Sequence, residues 1–223
     1  FRKAEKFFDV VTYTGTGSAH TIAHNLGSTP GFIVVKDTSA TWNWITYHTS
    51  LGATKHQYLN GTKAAETGTG YWNDTEPTDS VFSVGTYGQI NTLGNTYVAY
   101  LFASDAGGFG ADGSENIIKC GEFTAPSGSA SLSISLGWEA QYVLFKKYSS
   151  GTGNWSIFDI NRGMPLSGSG AAKWLKADDS ASETGLTAPI AYPNADGFVV
   201  VDGSGVTTGG EGYIYIAIRR PMK

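Results

Sequence analysis

The chain of 223 residues holds one cysteine, Cys120, so no disulfide can form within it. A disulfide-stapled scaffold is excluded, and the lone thiol reads as a small buried strand residue. Charge is also scarce. Asp, Glu, Lys and Arg make up 15% of the residues, against roughly a quarter in ordinary globular domains. The net charge of -4 provides no electrostatic footprint for nucleic acid or for an anionic membrane. No run approaches the ~20 apolar residues of a membrane span, and no signal peptide is visible. Helical periodicity is missing over any three turns, and only Ala171 to Ala177 reads as one short helix.

Glycine, by contrast, is abundant at 30 residues, and aromatics reach 13%. With many Thr, Ser, Tyr and Val, this is the make-up of an all-β protein with many turns. The apolar content of 40% is too high for a disordered chain.

The ordering principle is repetition. Leu26-Gly27-Ser28-Thr29-Pro30-Gly31-Phe32-Ile33-Val34-Val35-Lys36 returns about 110 positions later as Leu136-Gly137-Trp138-Glu139-Ala140-Gln141-Tyr142-Val143-Leu144-Phe145-Lys146. Each copy is a Leu-Gly turn, a spacer, four large strand-type residues and a lysine. Such a run bounded by Gly or Pro predicts the central buried strand of its unit. Around it, Phe7 to Thr14 matches Ile117 to Thr124, and Asn43-Trp44 matches Asn154-Trp155. Tyr58-Leu59 matches Trp174-Leu175, Glu66-Thr67-Gly68 matches Glu183-Thr184-Gly185, and Gly94 to Leu101 matches Gly210 to Ala217.

The spacing predicts two tandem, homologous β-sandwich units, jelly-roll-like, joined by a Gly/Asp-rich linker. The expected boundaries are 7–104 for the first unit, 105–116 for the linker and 117–223 for the second. Residues 1–6 match Ile218 to Lys223, and the chain opens on Phe1 rather than Met. Both features predict that 1–6 is the last strand of a preceding unit, or a linker, within a longer array.

Candidate chemistry is sparse. His20 and His24 in an extended strand would stand about 13 Å apart, too far to share a metal. The second unit has no histidine, so a His-based catalyst would operate in one copy only. Gly107 to Asp112 matches part of a calcium-binding repeat that works only in stacked copies, and a linker is the simpler reading, with Asp105, Asp112 and Glu115 as the alternative cation ligands. The Gly-x-Gly triplets lack a following helix and are turns. Asp159, Asp178 and Asp179 carry no signature of a glycosidase pair, and no nucleophile elbow is present. No cofactor, metal site or catalytic residue is expected, and the chain is not read as an enzyme.

The aromatics are more informative. Trp44 with Trp155, Tyr58 with Trp174 and Tyr97 with Tyr213 recur at matched positions, which predicts packing. Trp42, Tyr71, Trp72, Tyr87 and Trp138 have no aromatic counterpart in the other unit and sit in polar or Gly-rich surroundings. Exposed rings beside Asn, Asp and Thr suit a sugar, stacking on its apolar face while amides and carboxylates bond its hydroxyls. These five are the expected binding residues.

Several of these stretches, Phe7 to Gly15, His24 to Pro30 through Lys36, Tyr97 to Ala103, Glu115 to Gly121 and Tyr213 to Arg220, resemble a tandem-repeat β domain of tailed-bacteriophage tail and tail-fibre structural proteins. The resemblance implies a virion protein assembled in the bacterial host cytoplasm, a homo-oligomer such as a trimer that meets other virion proteins. It implies a tail fibre or adhesin segment that recognises host-surface polysaccharide. Two alternatives stay open: a purely architectural tail or capsid decoration without its own ligand, and a polysaccharide depolymerase.

Overall fold

The structure, a computed structural model, describes residues 2–128, 130–203 and 205–219. It is all-β and β-sandwich-like, with several sheets and none of them closed. The chain divides into two compact units, Phe1–Gly61 with Ala65–Cys120, and Thr62–Ala64 with Gly121–Lys223. The boundary thus falls inside a strand rather than in the Gly-rich 105–116 stretch, which lies with the first unit. The expected match of 1–6 to 218–223 lies partly outside the described residues. Among those described, Arg2 and Lys3 are irregular, and Ala4 makes one isolated bridge to Phe8 before a turn.

The first unit contains β1 (Phe8–Thr14), β2 (His20–Ala23), β3 (Pro30–Asp37), β4 (Ile45–His48), β5 (Lys55–Tyr58) and β6 (Glu66–Thr67). A helical turn α1 (Thr69–Trp72), β7 (Val81–Val84), a second turn α2 (Gly88–Asn91) and β8 (Thr96–Ala103) complete it. Its main sheet runs β1-β8-β3-β4-β5-β6, and β2 pairs with β7 in a smaller one. The expected central strand is therefore β3, flanked by β8 and β4. Every residue of β3 is buried except half-buried Lys36, because both of its faces are covered and both of its edges are paired.

The second unit begins on β9 (Ile118–Thr124), followed by β10 (Ser131–Ser135), β11 (Ala140–Lys147), β12 (Trp155–Asp159) and β13 (Lys173–Lys176). Then come β14 (Thr184–Gly185), β15 (Ala191–Asn194), β16 (Gly197–Val201) and β17 (Gly212–Arg219). Its main sheet, read from β9, runs β9-β17-β11-β12-β13-β14, while β10, β16 and β15 form the second sheet. Strand for strand this is the order of the first unit's main sheet.

The packing inside each sheet follows the same chemistry. Tyr13 of β1 stacks on Tyr97 of β8 with centroids 4.9 Å apart, and Phe123 of β9 stacks on Tyr213 of β17 at 5.3 Å. Tyr97 Oη accepts from the Thr92 amide at 2.8 Å, and Tyr213 Oη accepts from the Thr208 amide at 2.9 Å. Each ring thus adds apolar burial while its hydroxyl satisfies a turn amide that would otherwise be orphaned.

One expectation is corrected outright. Ala171 to Ala177 is not helical, because Lys173–Lys176 pairs with β12 and β14 as a strand. Trp174 points inward and donates its indole N–H to Ser156 Oγ at 3.0 Å, an anchor that local helix propensity does not encode. Conversely, α1, α2 and a 3₁₀ turn at Ile160–Arg162 are too short to show a periodicity.

Candidate functional site

The five aromatic positions separate into two groups. Trp42 and Tyr87 stand at the surface with 48% and 50% of their area exposed. Tyr71, Trp72 and Trp138 do not, and for them the expected surface position is corrected. Tyr71 and Trp72 belong to α1, which folds them inward. Tyr71 lies on His56 of β5 with centroids 3.7 Å apart, and Trp72 meets Tyr47 of β4 edge-on at 5.8 Å. Trp138 joins the second unit's core with Phe123, Val143 and Phe198. Polar sequence neighbours misplace these rings, because one helical turn or one strand reversal carries a whole indole out of water.

The recurring pairs also divide. Trp155 is buried, whereas Trp44 is half-buried and stacks on Tyr100 at 6.2 Å. Trp44 helps to line an apolar depression of about 360 Å³ with Phe8, Val34, Leu59, Tyr100 and Phe102.

Around Tyr87 the first unit assembles a cluster that none of its residues announces alone. Tyr87 precedes α2 and lies against Tyr71, centroids 4.7 Å apart and tilted by 33°. Tyr71 Oη is 3.1 Å from Tyr58 Oη and accepts from Gln89 Nε2 at 3.3 Å. Tyr58 Oη is 3.3 Å from His56 Nε2, which is 3.8 Å from Glu66 Oε2. Two glycines permit this approach. A Cβ at Gly70 would stand 2.4 Å from the Tyr87 ring, and one at Gly85 would stand 2.3 Å from the Gly70 carbonyl oxygen. The Gly85 amide donates to Tyr71 O at 2.7 Å and the Tyr87 amide to Gly70 O at 3.0 Å, which clamps α1 to the turn that carries Tyr87.

Burial pushes the Tyr71 phenol well above its ordinary range, and the Tyr58 hydroxyl adds to the shift. Tyr71 is therefore a neutral hydroxyl at any physiological pH. The cluster combines one exposed ring with fixed neutral hydroxyl, amide, imidazole and carboxylate groups. That set suits stacking and hydrogen bonding to a neutral polyol.

His56, Tyr58, Glu66 and Gln89 were not singled out by the sequence as ligand-binding residues. The expected match of Tyr58 with Trp174 is corrected by the register: His56 pairs with Glu66 as Trp174 pairs with Thr184, so Trp174 stands at the position of His56.

The carboxylates considered for catalysis serve local structure. Asp178 Oδ1 accepts the Trp155 amide at 2.7 Å, Asp179 pairs with Lys176 and accepts the Ala181 amide, and Asp159 accepts the Asn161 amide. Asp105 pairs with Lys119 at 3.3 Å, and Asp112 accepts from Ser114. Among the described residues, no three His, Cys, Asp or Glu side chains gather at metal-holding distances. No helix among them is long and apolar enough to cross a membrane.

Compared with known proteins, the chain matches the family model of a domain of unknown function (DUF7483) over residues 3–220. No curated protein and no solved structure matches it.

Proposed function

The chain belongs to the DUF7483 family, and we propose that it is a binding and structural protein, a tail-fibre or adhesin segment of a bacteriophage virion that recognises host-surface glycan. In this reading it is a tandem duplication of one β-sandwich unit. The identical order of the two main sheets and the matched Tyr97 and Tyr213 anchors support that origin. The phage assignment rests on the sequence resemblance.

The observation that carries the glycan reading is the Tyr87 ring, half-exposed and set against the buried Tyr71 ring, whose hydroxyl lies 3.1 Å from that of half-buried Tyr58. A rigid aromatic with adjacent fixed polar groups loses little conformational entropy on binding and offers an apolar face to a pyranose.

The test is an array of bacterial surface polysaccharides probed with the whole chain, followed by titration of any hit. Tyr87→Ala should weaken binding by about tenfold or more, the scale of one aromatic anchor. Tyr87→Phe should retain it, since the stacking face persists. Unchanged affinity in Tyr87→Ala would sink the site. Absence of any glycan binding would leave the architectural reading, and sugar release would revive the depolymerase.

A further inference from the structure

The lysine that ends the repeated strand reveals an interaction surface. In the second unit, Lys146 is fully buried and its ammonium donates to three carbonyls, Thr62 O at 2.9 Å, Lys63 O at 2.8 Å and Lys147 O at 3.3 Å. Two of these belong to the short extended segment Thr62–Ala64, which is part of that unit. The segment pairs with the edge at Gly151–Gly153. The Gly153 amide donates to Thr62 O at 2.9 Å, the Ala64 amide donates to Gly151 O at 3.0 Å, and Lys63 bridges Thr152. An extended peptide is thus received by a lysine and by the edge amide and carbonyl of one loop, which is strand addition in miniature.

The first unit carries the corresponding lysine and edge, with the lysine bonded to the edge itself rather than to an added segment. Lys36 stands at the position of Lys146, and Ala40, Thr41 and Trp42 stand at those of Gly151, Thr152 and Gly153. Lys36 donates to Asp37 O at 2.6 Å, the counterpart of Lys147 O, and to Ala40 O at 2.9 Å. An ammonium has three N–H donors, so one remains. Among the described residues the Trp42 amide has no hydrogen-bond partner, and its indole is 48% exposed.

The matching guest is also present. In the first unit the Trp44 amide donates to Asn60 Oδ1, and in the second the Trp155 amide donates to Asp178 Oδ1. Counting on from these anchors, the counterpart of Thr62–Ala64 is Ser180–Ser182, whose three residues are exposed and small enough to let a backbone approach closely.

We infer that the Ala40–Trp42 edge of the first unit receives the Ser180–Ser182 loop of a second copy of this chain, joining copies head to tail. Donor and receiver lie at different places on the chain, so the contact is heterologous and builds an open array or a ring rather than a two-fold dimer. The inference rests on the correspondence between the two units and is independent of glycan binding.

The experiment mixes Trp42→Cys chains with Ala181→Cys chains under mild oxidation, with Leu93→Cys and Leu166→Cys as an exposed control pair. The Trp42–Ala181 pair should cross-link at least about tenfold faster than the control, as expected for a docked geometry against random collision. In parallel, sedimentation of the wild type should show mass rising steadily with concentration. Trp42→Ala and Ala181→Pro should each abolish that rise while circular dichroism stays that of the folded chain. Cross-linking no faster than the control, a wild type that stays monomeric, or association indifferent to both substitutions would overturn the inference. Because Tyr87 is untouched, failure here and failure of glycan binding are read separately.

Discussion

Asp9 shows how a single charge is used in a chain that has few. Its side chain is buried, with Lys3 Nζ 2.6 Å from one oxygen. The Val10 and Asn25 amides donate to the carboxylate at 2.8 Å each. Burial alone would raise its pKa, but the Lys3 ammonium and the two amides outweigh it, and the carboxyl titrates below its ordinary value of 3.8. A depressed acid stabilises the folded state fully above its unfolded value and loses that contribution as pH falls through the folded one. The melting temperature of the wild type should therefore decline below pH 3.8, and Asp9→Ala should flatten this acid limb. At neutral pH the same substitution should cost about 1–3 kcal/mol for each amide left unpaired, measured by urea unfolding. An acid limb unchanged in Asp9→Ala would refute the assignment.

At the scale of the element, the repeated strand is the best example. In both units its hydrophobic run lies between two antiparallel neighbours, and its closing lysine donates to the carbonyl of the next residue, Asp37 or Lys147. The two lysines nonetheless differ. Burial pushes the Lys146 ammonium down to about 8, against the opposing pull of Asp178, so it remains mostly protonated at neutral pH. It holds Thr62–Ala64 through hydrogen bonds to a charged donor, each worth about 1.5–3 kcal/mol. Lys146→Met should therefore release that segment. Hydrogen exchange at the Ala64 and Gly153 amides should accelerate by about tenfold or more, while the paired amides of β11 stay protected. Lys36→Met, which removes bonds only within its own loop, should leave the amides of β3 unchanged. Equal protection of Ala64 in wild type and Lys146→Met would count against this role.

Across the whole molecule, two compact units are built on one strand order, and the single thiol lies at the last residue of the first. Burial raises the Cys120 thiol far above its ordinary range, with Asp105 adding to the effect, so almost no thiolate exists in the native state. A thiol reagent should therefore label Cys120 only through an opening of the structure. The labelling rate should rise with denaturant along the unfolding transition and reach one label per chain. Rapid stoichiometric labelling of the native protein would contradict this packing.

The sequence by itself determined the all-β class, the position of β3 and β11 and the matching of their surroundings. Those features are written in local alternation, turn residues and recurrence, which need no knowledge of what lies across the sheet. The tertiary structure alone decided which aromatics meet water. Tyr71 and Trp72 look like loop residues in the chain, yet α1 buries them against His56 and Tyr47, and the site passes to Tyr87. It also decided that Lys173–Lys176, inside the expected helix, is strand, through pairing with Ser156 and Ile157. In both cases the deciding free energy comes from partners distant in sequence, where apolar burial and hydrogen-bond satisfaction outweigh local preference.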